Sequence, residues 1–298
     1  MNLLFTFNRV SLLALILALF STLASARDLD EVRASGVLRH LGIPYANFVT
    51  GGGDGLDVEL MQAFAAHLEV RYEYVPTEWT RVFGDLNGQH AKRGADGNAE
   101  LLNSTPVKGD LVANGMTMLD WRRELVDFST PTFPSGVWLM ARADSLLEPI
   151  RPTGTREGDI GLVKTNMRNL SVLALESTCL DPALYKVAET GADVRLLGEG
   201  RKLNEMAPAI IVQSLAESTL LDVPDALIAL EKWPGEIKVI GPVSGEQEMA
   251  VAFSKDSPKL RAAFNAWFEQ FKKDGRYIEL VEKYYPAVFL YFPDFFST

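Results

Sequence analysis

The chain carries little sulfur or imidazole with which to do chemistry. Among 298 residues there is one cysteine, Cys179, and there are three histidines, His40, His67 and His90. A single cysteine excludes an internal disulfide, so the fold must stand on its hydrophobic cores. The histidines fall in an expected strand, helix and loop without zinc spacing. Positive charge is also short: 29 lysines and arginines against 39 aspartates and glutamates leave a net charge of −10. Repulsion from phosphate then argues against nucleic acid as a partner. Beyond the first 26 residues the apolar runs are broken by charge or proline before they reach the length of a membrane span. Gly51-Gly-Gly-Asp-Gly has the glycines of a phosphate loop but no Lys-Ser/Thr after them, which leaves a flexible turn. No serine stands in a nucleophile elbow, and Cys179 has no recognisable histidine partner, so it reads as a small buried residue. No catalytic residue, metal or cofactor is called for.

What is present begins with a leader. Arg9 precedes an apolar run from Val10 to Leu23, which closes on Ala24-Ser25-Ala26, the small-x-small pattern of a signal peptidase site. Residues 1–26 are therefore expected to be a cleavable signal peptide, with the mature chain starting at Arg27 in the periplasm. No cysteine lies near the site, so no lipid anchor is expected. The remaining ~270 residues suit two lobes of ordinary size.

Periodicity supports an α/β chain. Gly36 to Gly42 alternates as a strand, Asp57 to Leu68 has apolar residues at helical spacing with Asp57 as N-cap, and Val70 to Val75 alternates again. That order calls for a parallel strand pair with a crossover helix. Asn87 to Lys108, rich in Gly, Asn and Ala, reads as a surface insertion with at most a helical turn near Ala99 to Leu102. Val137 to Ala141 reads as a buried strand, with Pro134-Ser135-Gly136 before it as a hinge. Later strands are expected at 171–175, 194–197, 219–222 and 237–240, and helices at 183–189, 203–215 and 224–233. Ser257-Pro258 is expected to cap a long helix whose Leu260, Phe264, Trp267, Phe268 and Phe271 form one stripe. A second helix, 277–284, and an aromatic tail packed on the body complete the chain.

Several stretches carry a resemblance. Gly55-Leu-Asp-Val-Glu-Leu looks like a Gly-Phe-Asp-x-Asp-Leu helix start, and Gly109-Asp110-Leu-Val-Ala-Asn-Gly like a Gly-x-x-Asp strand. Arg122 to Ser129 is similar to Arg-x-x-x-Val-Asp-Phe-Ser, and Val172 to Thr178 to a Val-Gly-Val-x-x-Gly-Thr strand and turn. Lys273-Asp-Gly-Arg-Tyr and Lys283-Tyr-Tyr resemble a C-terminal signature. In this order they resemble the family 3 extracellular solute-binding proteins, receptors of polar amino acid uptake. The resemblance implies a two-lobed periplasmic binding protein fold of type II, its lobes joined by two crossover strands. Residues 27–134 and 246–298 would form lobe 1 and residues 135–245 lobe 2. It implies a monomer that hands a small solute, an amino acid or related carboxylate, to an ABC permease in the inner membrane.

By the same resemblance Arg122 would take the solute carboxylate, with Thr117 as a hydroxyl contact, and Asp222 would take the ammonium. The turn Ser177-Thr178 would add donors, and Tyr45, Phe48 and Trp79 would wall the apolar part. A structural reading stands beside each: Arg122 paired with Glu124 or Asp127 on the surface, Asp222 as a turn residue before Pro224, Trp79 as core. Leu119, Trp121, Ser177 and the stiff, doubly acidic Asp222-Val-Pro-Asp depart from the family pattern. They leave open an amino acid, another carboxylate, or a fold that has lost its ligand. Two rivals to transport are a sensory or accessory protein that binds a partner protein, and a periplasmic dehydratase recruiting Glu176 or Glu217.

Overall fold

The structure, a computed structural model, describes residues 26–198 and 201–297. The expected signal peptide lies outside the described residues, apart from Ala26. Among the described residues no helix is long and apolar enough to cross a membrane.

The first sheet starts where the sequence alternates. After a short helix α1 (Leu29–Ser35), β1 (Val37–Gly42) pairs in parallel with β2 (Arg71–Pro76), and the helix α2 (Leu56–His67) crosses over between them. A parallel pair needs such a crossover, because no tight turn can join its ends. Asp57 does not cap α2. Gly55 is the N-cap, at φ 136° and packed against the Phe48 backbone, and Asp57 sits inside the first turn, 2% exposed.

The segment read as a surface insertion is a hairpin, and Ala99 to Leu102 are strand rather than a helical turn. Behind the helix α3 (Val82–Asn87), β3 (Gln89–Arg93) and β4 (Ala99–Ser104) pair antiparallel as a separate two-stranded sheet. Five of the six residues of β4 are exposed, so no apolar alternation marks it in the sequence. β5 (Leu111–Thr117) then returns to the core, buried along its whole length, and is followed by α4 (Asp120–Arg123), β6 (Val126–Phe128) and β7 (Phe133–Ser135).

The second sheet comprises β8 (Val137–Arg142), β9 (Ser171–Ala174), β10 (Asp193–Leu196), β11 (Ser218–Asp222) and β12 (Ile237–Pro242) in the order β10-β9-β11-β8-β12. Its helices are α5 (Arg156–Asn166), α6 (Met206–Ile211) and α7 (Val223–Lys232). Two expected helices are shorter than the pattern suggests. Residues 183–189 form two 3₁₀ turns separated by Lys186 at φ 54°, and the expected 203–215 helix is a 3₁₀ turn followed only by α6. Pro208 fits the first turn of α6, where its missing N–H is no loss, and Ser214 at φ 52° lies where the pattern had promised more helix.

β13 (Gln247–Ser254) closes the first sheet, whose order is β2-β1-β5-β13-β6 with β7 also paired to β13. The chain thus leaves the first sheet through Gly136 and returns through Val243–Glu246. The two crossings bond to each other: Val137 N–H donates to Ser244 Oγ at 2.8 Å, and Val243 N–H to Val137 O at 2.8 Å.

The long helix α8 (Pro258–Lys273) buries the expected stripe, and Phe64 of α2 meets Phe264 and Trp267, both at 5.2 Å between centroids. Ser257 does not cap it through its side chain; its hydroxyl donates to Arg27 O. Asp28 does that work from the other end of the chain, accepting from Leu260 N–H at 2.7 Å while also capping α1. After α9 (Arg276–Tyr284) the aromatic tail, including α10 (Val288–Tyr291), packs across the first crossing. Tyr291 lies 5.1 Å from Trp138 of β8, and Phe296 6.2 Å from Phe133 of β7.

Candidate binding site

The site grows from strand ends. β1, β5 and β11 all stop on the side where the two sheets face each other, where open α/β sheets place their ligands. Tyr45 follows β1, Thr117 ends β5, Arg122 sits in α4 immediately after it, and Asp222 ends β11 of the other sheet.

Arg122 is 4% exposed. Its Nη1 donates to Thr117 O at 3.0 Å, and its guanidinium carbon lies 5.7 Å from the Trp79 ring centroid and 5.4 Å from that of Trp121. Nε has no hydrogen-bond partner among the described residues. Burial pulls its pKa down, against the acidic groups around it. The surface pairing is not formed: Asp127 pairs with Lys255 and Arg261, and Glu124 accepts from Ala99 N–H. The large Trp121 has a structural use, packing edge-on against Phe83 at 5.4 Å.

Asp222 is fully buried and has three donors. Oδ2 accepts from Tyr45 O–H at 2.5 Å and from Cys179 S–H at 3.1 Å, and Oδ1 accepts from Asp225 N–H at 3.3 Å. It is therefore also the N-cap of α7, so the turn reading and the cleft position hold together. Burial raises its pKa, and burial with the Asp222 charge raises that of Asp225 further. Tyr45 and Cys179 are raised for the same two reasons.

A cavity of about 10 Å³, room for about one water molecule, lies between the sheets. Tyr45, Trp79, Gly115, Thr117, Arg122, Thr178, Cys179 and Leu203 line it. Five of the residues expected at a site are thus brought to one cavity: Tyr45, Trp79, Thr117, Arg122 and Thr178. Asp222 stands one layer behind, touching Tyr45 and Cys179. Phe48 is in the core, 5.8 Å from Tyr45 by ring centroids and 5.2 Å from Phe133. Gly115, at φ 53°, leaves the space that the Phe48 ring fills.

Ser177 is not brought to the cavity. It is exposed at φ 61°, and its backbone N–H is taken by Asp181 Oδ2. The Thr178 hydroxyl is occupied within its own turn by Leu175 O and Leu180 N–H. Glu176 and Glu217 are both exposed and line no part of the cavity. Sequence reasoning missed Cys179, Leu203 and Gly115. Only Cys179 carried a signal, as the next residue after Ser177-Thr178.

The sequence matches the bacterial extracellular solute-binding proteins, family 3, over residues 96–287. It is 25% identical over 235 residues to the membrane-bound lytic murein transglycosylase F of Desulfosudis oleivorans, covering 78% of this chain but only 44% of that protein's length. It is 27% identical over 268 residues to the L-cystine-binding protein TcyJ of Escherichia coli, covering 87% of this chain and 86% of that one. Among solved structures, a mutant of ArgBP from T. maritima superposes with a TM-score of 0.64 at 21% identity, over 87% of this chain and 99% of the other. The two sheets, their double crossing and the facing strand ends are accordingly those of a two-lobed binding protein, and the chain belongs to the family 3 bacterial extracellular solute-binding proteins.

Proposed function

We propose that this protein captures a small carboxylate-bearing solute, an amino acid or a close relative, between its lobes in the periplasm and passes it to an ABC-type permease without chemical turnover. The observation that carries this reading is Arg122. A guanidinium held 96% out of water, with Nε unpartnered among the described residues, is costly unless an anion comes to it. Its planar fork suits a carboxylate, which can take two parallel N–H bonds. The kinship with TcyJ supports the amino-acid class. In this reading the lobes divide at 134/135 and 245/246.

Calorimetric titration of the mature protein with free amino acids, L-cystine and simple carboxylates tests the proposal. A hit raises the melting temperature, since a hundredfold excess over Kd stabilises by about 2.7 kcal/mol. Arg122→Lys loses most of that affinity, because an ammonium cannot reproduce the fork. Failure of every carboxylate to bind, or equal binding by Arg122→Lys, refutes it.

A further inference from the structure

We infer that the Tyr45 hydroxyl is an internal competitor for the solute at Asp222, a latch that draws the lobes together without cargo and selects for solutes able to displace it. Tyr45 belongs to the connection after β1 of the first sheet, and Asp222 ends β11 of the second. Their bond, 2.5 Å long, links groups 177 positions apart in the chain and spans the gap between the lobes. Both residues are buried, Tyr45 at 4% and Asp222 at 0% exposure, so water does not compete for the acceptor once the gap is shut.

Oδ2 of Asp222 is already committed, to Tyr45 and Cys179. Cys179 and the Asp225 amide belong to the same lobe as Asp222 and stay with it when the lobes part. Tyr45 is the donor that leaves on opening. Tyr45 and Cys179 take both lone pairs of Oδ2, so an ammonium that engages this oxygen must displace the phenol. Space makes the same demand: a cavity of about 10 Å³ with Tyr45 in place admits no amino acid, so latch and solute exclude each other.

Discrimination follows from chemistry. A charged ammonium is a stronger donor to a carboxylate than a phenol and offers more than one N–H. A carboxylate solute without an amino group can engage Arg122 but gives Asp222 nothing to replace the phenol. It must either leave the latch broken and Asp222 short of a donor, or fail to enter. Tyr45 thereby acts as a specificity-determining residue, deepening the reading of the site proposed above and resting on it for the solute arm alone.

Tyr45→Phe is the cleanest test, since it keeps the ring that packs on Phe48 and Trp79 and deletes only the hydroxyl. Small-angle scattering of the solute-free protein reads the latch without any ligand. The wild type is expected to scatter as a closed form, and folded Tyr45→Phe to have a larger radius of gyration. Where Tyr45→Phe does not fold, Asp222→Asn weakens the same bond from the other lobe and is expected to open likewise. In titrations, Tyr45→Phe is expected to bind an amino acid about tenfold more tightly, or about 1.4 kcal/mol, and to admit lactate or pyruvate that the wild type rejects. Opening of the variant with no amino acid binding to either protein supports the latch and removes the amino-acid reading instead. A folded variant that scatters like the wild type overturns the latch.

Discussion

His40 and Asp57 grip the same central strand two residues apart. The imidazole Nε2–H donates to Ala113 O at 2.7 Å, and the Asp57 carboxylate accepts from Gly115 N–H at 2.7 Å. Tyr72 O–H completes the histidine by donating to Nδ1 at 2.9 Å, while Asp57 Oδ1 has no partner among the described residues. Both side chains are buried, and burial moves their pKa values in opposite senses: His40 down to about 4, Asp57 up to about 7.

Those shifts oppose each other in stability. As pH falls from about 6.5 to about 4, the unfolded histidine takes a proton that folded His40 refuses, and stability drops. As pH rises from about 3.8 towards 7, the unfolded aspartate gives up a proton that folded Asp57 keeps, and stability again drops. Each effect is on the order of 3–4 kcal/mol, so over pH 4–6.5 they nearly cancel. Asp57→Asn removes one arm. Its melting temperature is expected to fall steadily from pH 6.5 to pH 4, whereas that of the wild type changes little. Parallel curves for the two proteins in scanning calorimetry would show that the buried pair is not so coupled.

Asp110 anchors two arginines at one buried carboxylate. Arg27 reaches it with two nitrogens, at 2.5 and 2.8 Å, and Arg39 with its side chain at 2.8 Å and its backbone N–H at 2.7 Å. The arginines are each about a fifth exposed, at 22% and 23%, which screens part of the charge. Asp110→Asn is expected to cost about 2–3 kcal/mol, below the range for a fully buried pair. Urea unfolding should show a lower midpoint with an unchanged slope; an unchanged midpoint would mean that the arginines find water as good a partner.

The legible parts of this fold are those whose physics is local or strongly periodic. The stripe on α8 and the alternation in β1 are written in spacing, and the buried run of β5 follows Asp110 in a motif. The β3–β4 hairpin was hidden because a ribbon with both faces near water needs no alternating apolar residues. Asp28 as the cap of α8 was equally hidden, since residues 28 and 260 meet only in three dimensions. In the site, Arg122 and Asp222 were reached through resemblance. That Tyr45 already occupies Asp222 was not legible, because a hydrogen bond between residues of separate lobes leaves no trace in either neighbourhood.

Ser177 offers a simple stabilising change. It holds φ 61°, a left-handed conformation in which a Cβ is strained, at a turn where the resembling motif has glycine. It is exposed. Ser177→Gly is expected to relieve roughly 1 kcal/mol of strain, partly offset by the greater freedom of glycine in the unfolded chain. The net gain should appear as a rise of about 1–2 °C in melting temperature, and a fall would show that the turn is held by the serine side chain.

Arg122 is predicted to destabilise the protein that it equips. Its surroundings offer one carbonyl and two aromatic faces, which repay only part of the desolvation of a guanidinium. Arg122→Met keeps comparable bulk between Trp79 and Trp121, deletes the charge, and loses one hydrogen bond worth about 1 kcal/mol. Replacing a buried charge by a well-packed apolar side chain stabilises by about 1–4 kcal/mol in comparable cases. Solute-free Arg122→Met is therefore expected to melt a few degrees higher than the wild type while gaining nothing from added amino acid. A binding arginine and a structural arginine part company here: if the variant melts lower, the guanidinium holds the lobe together, and its unfilled Nε is no sign of a missing anion.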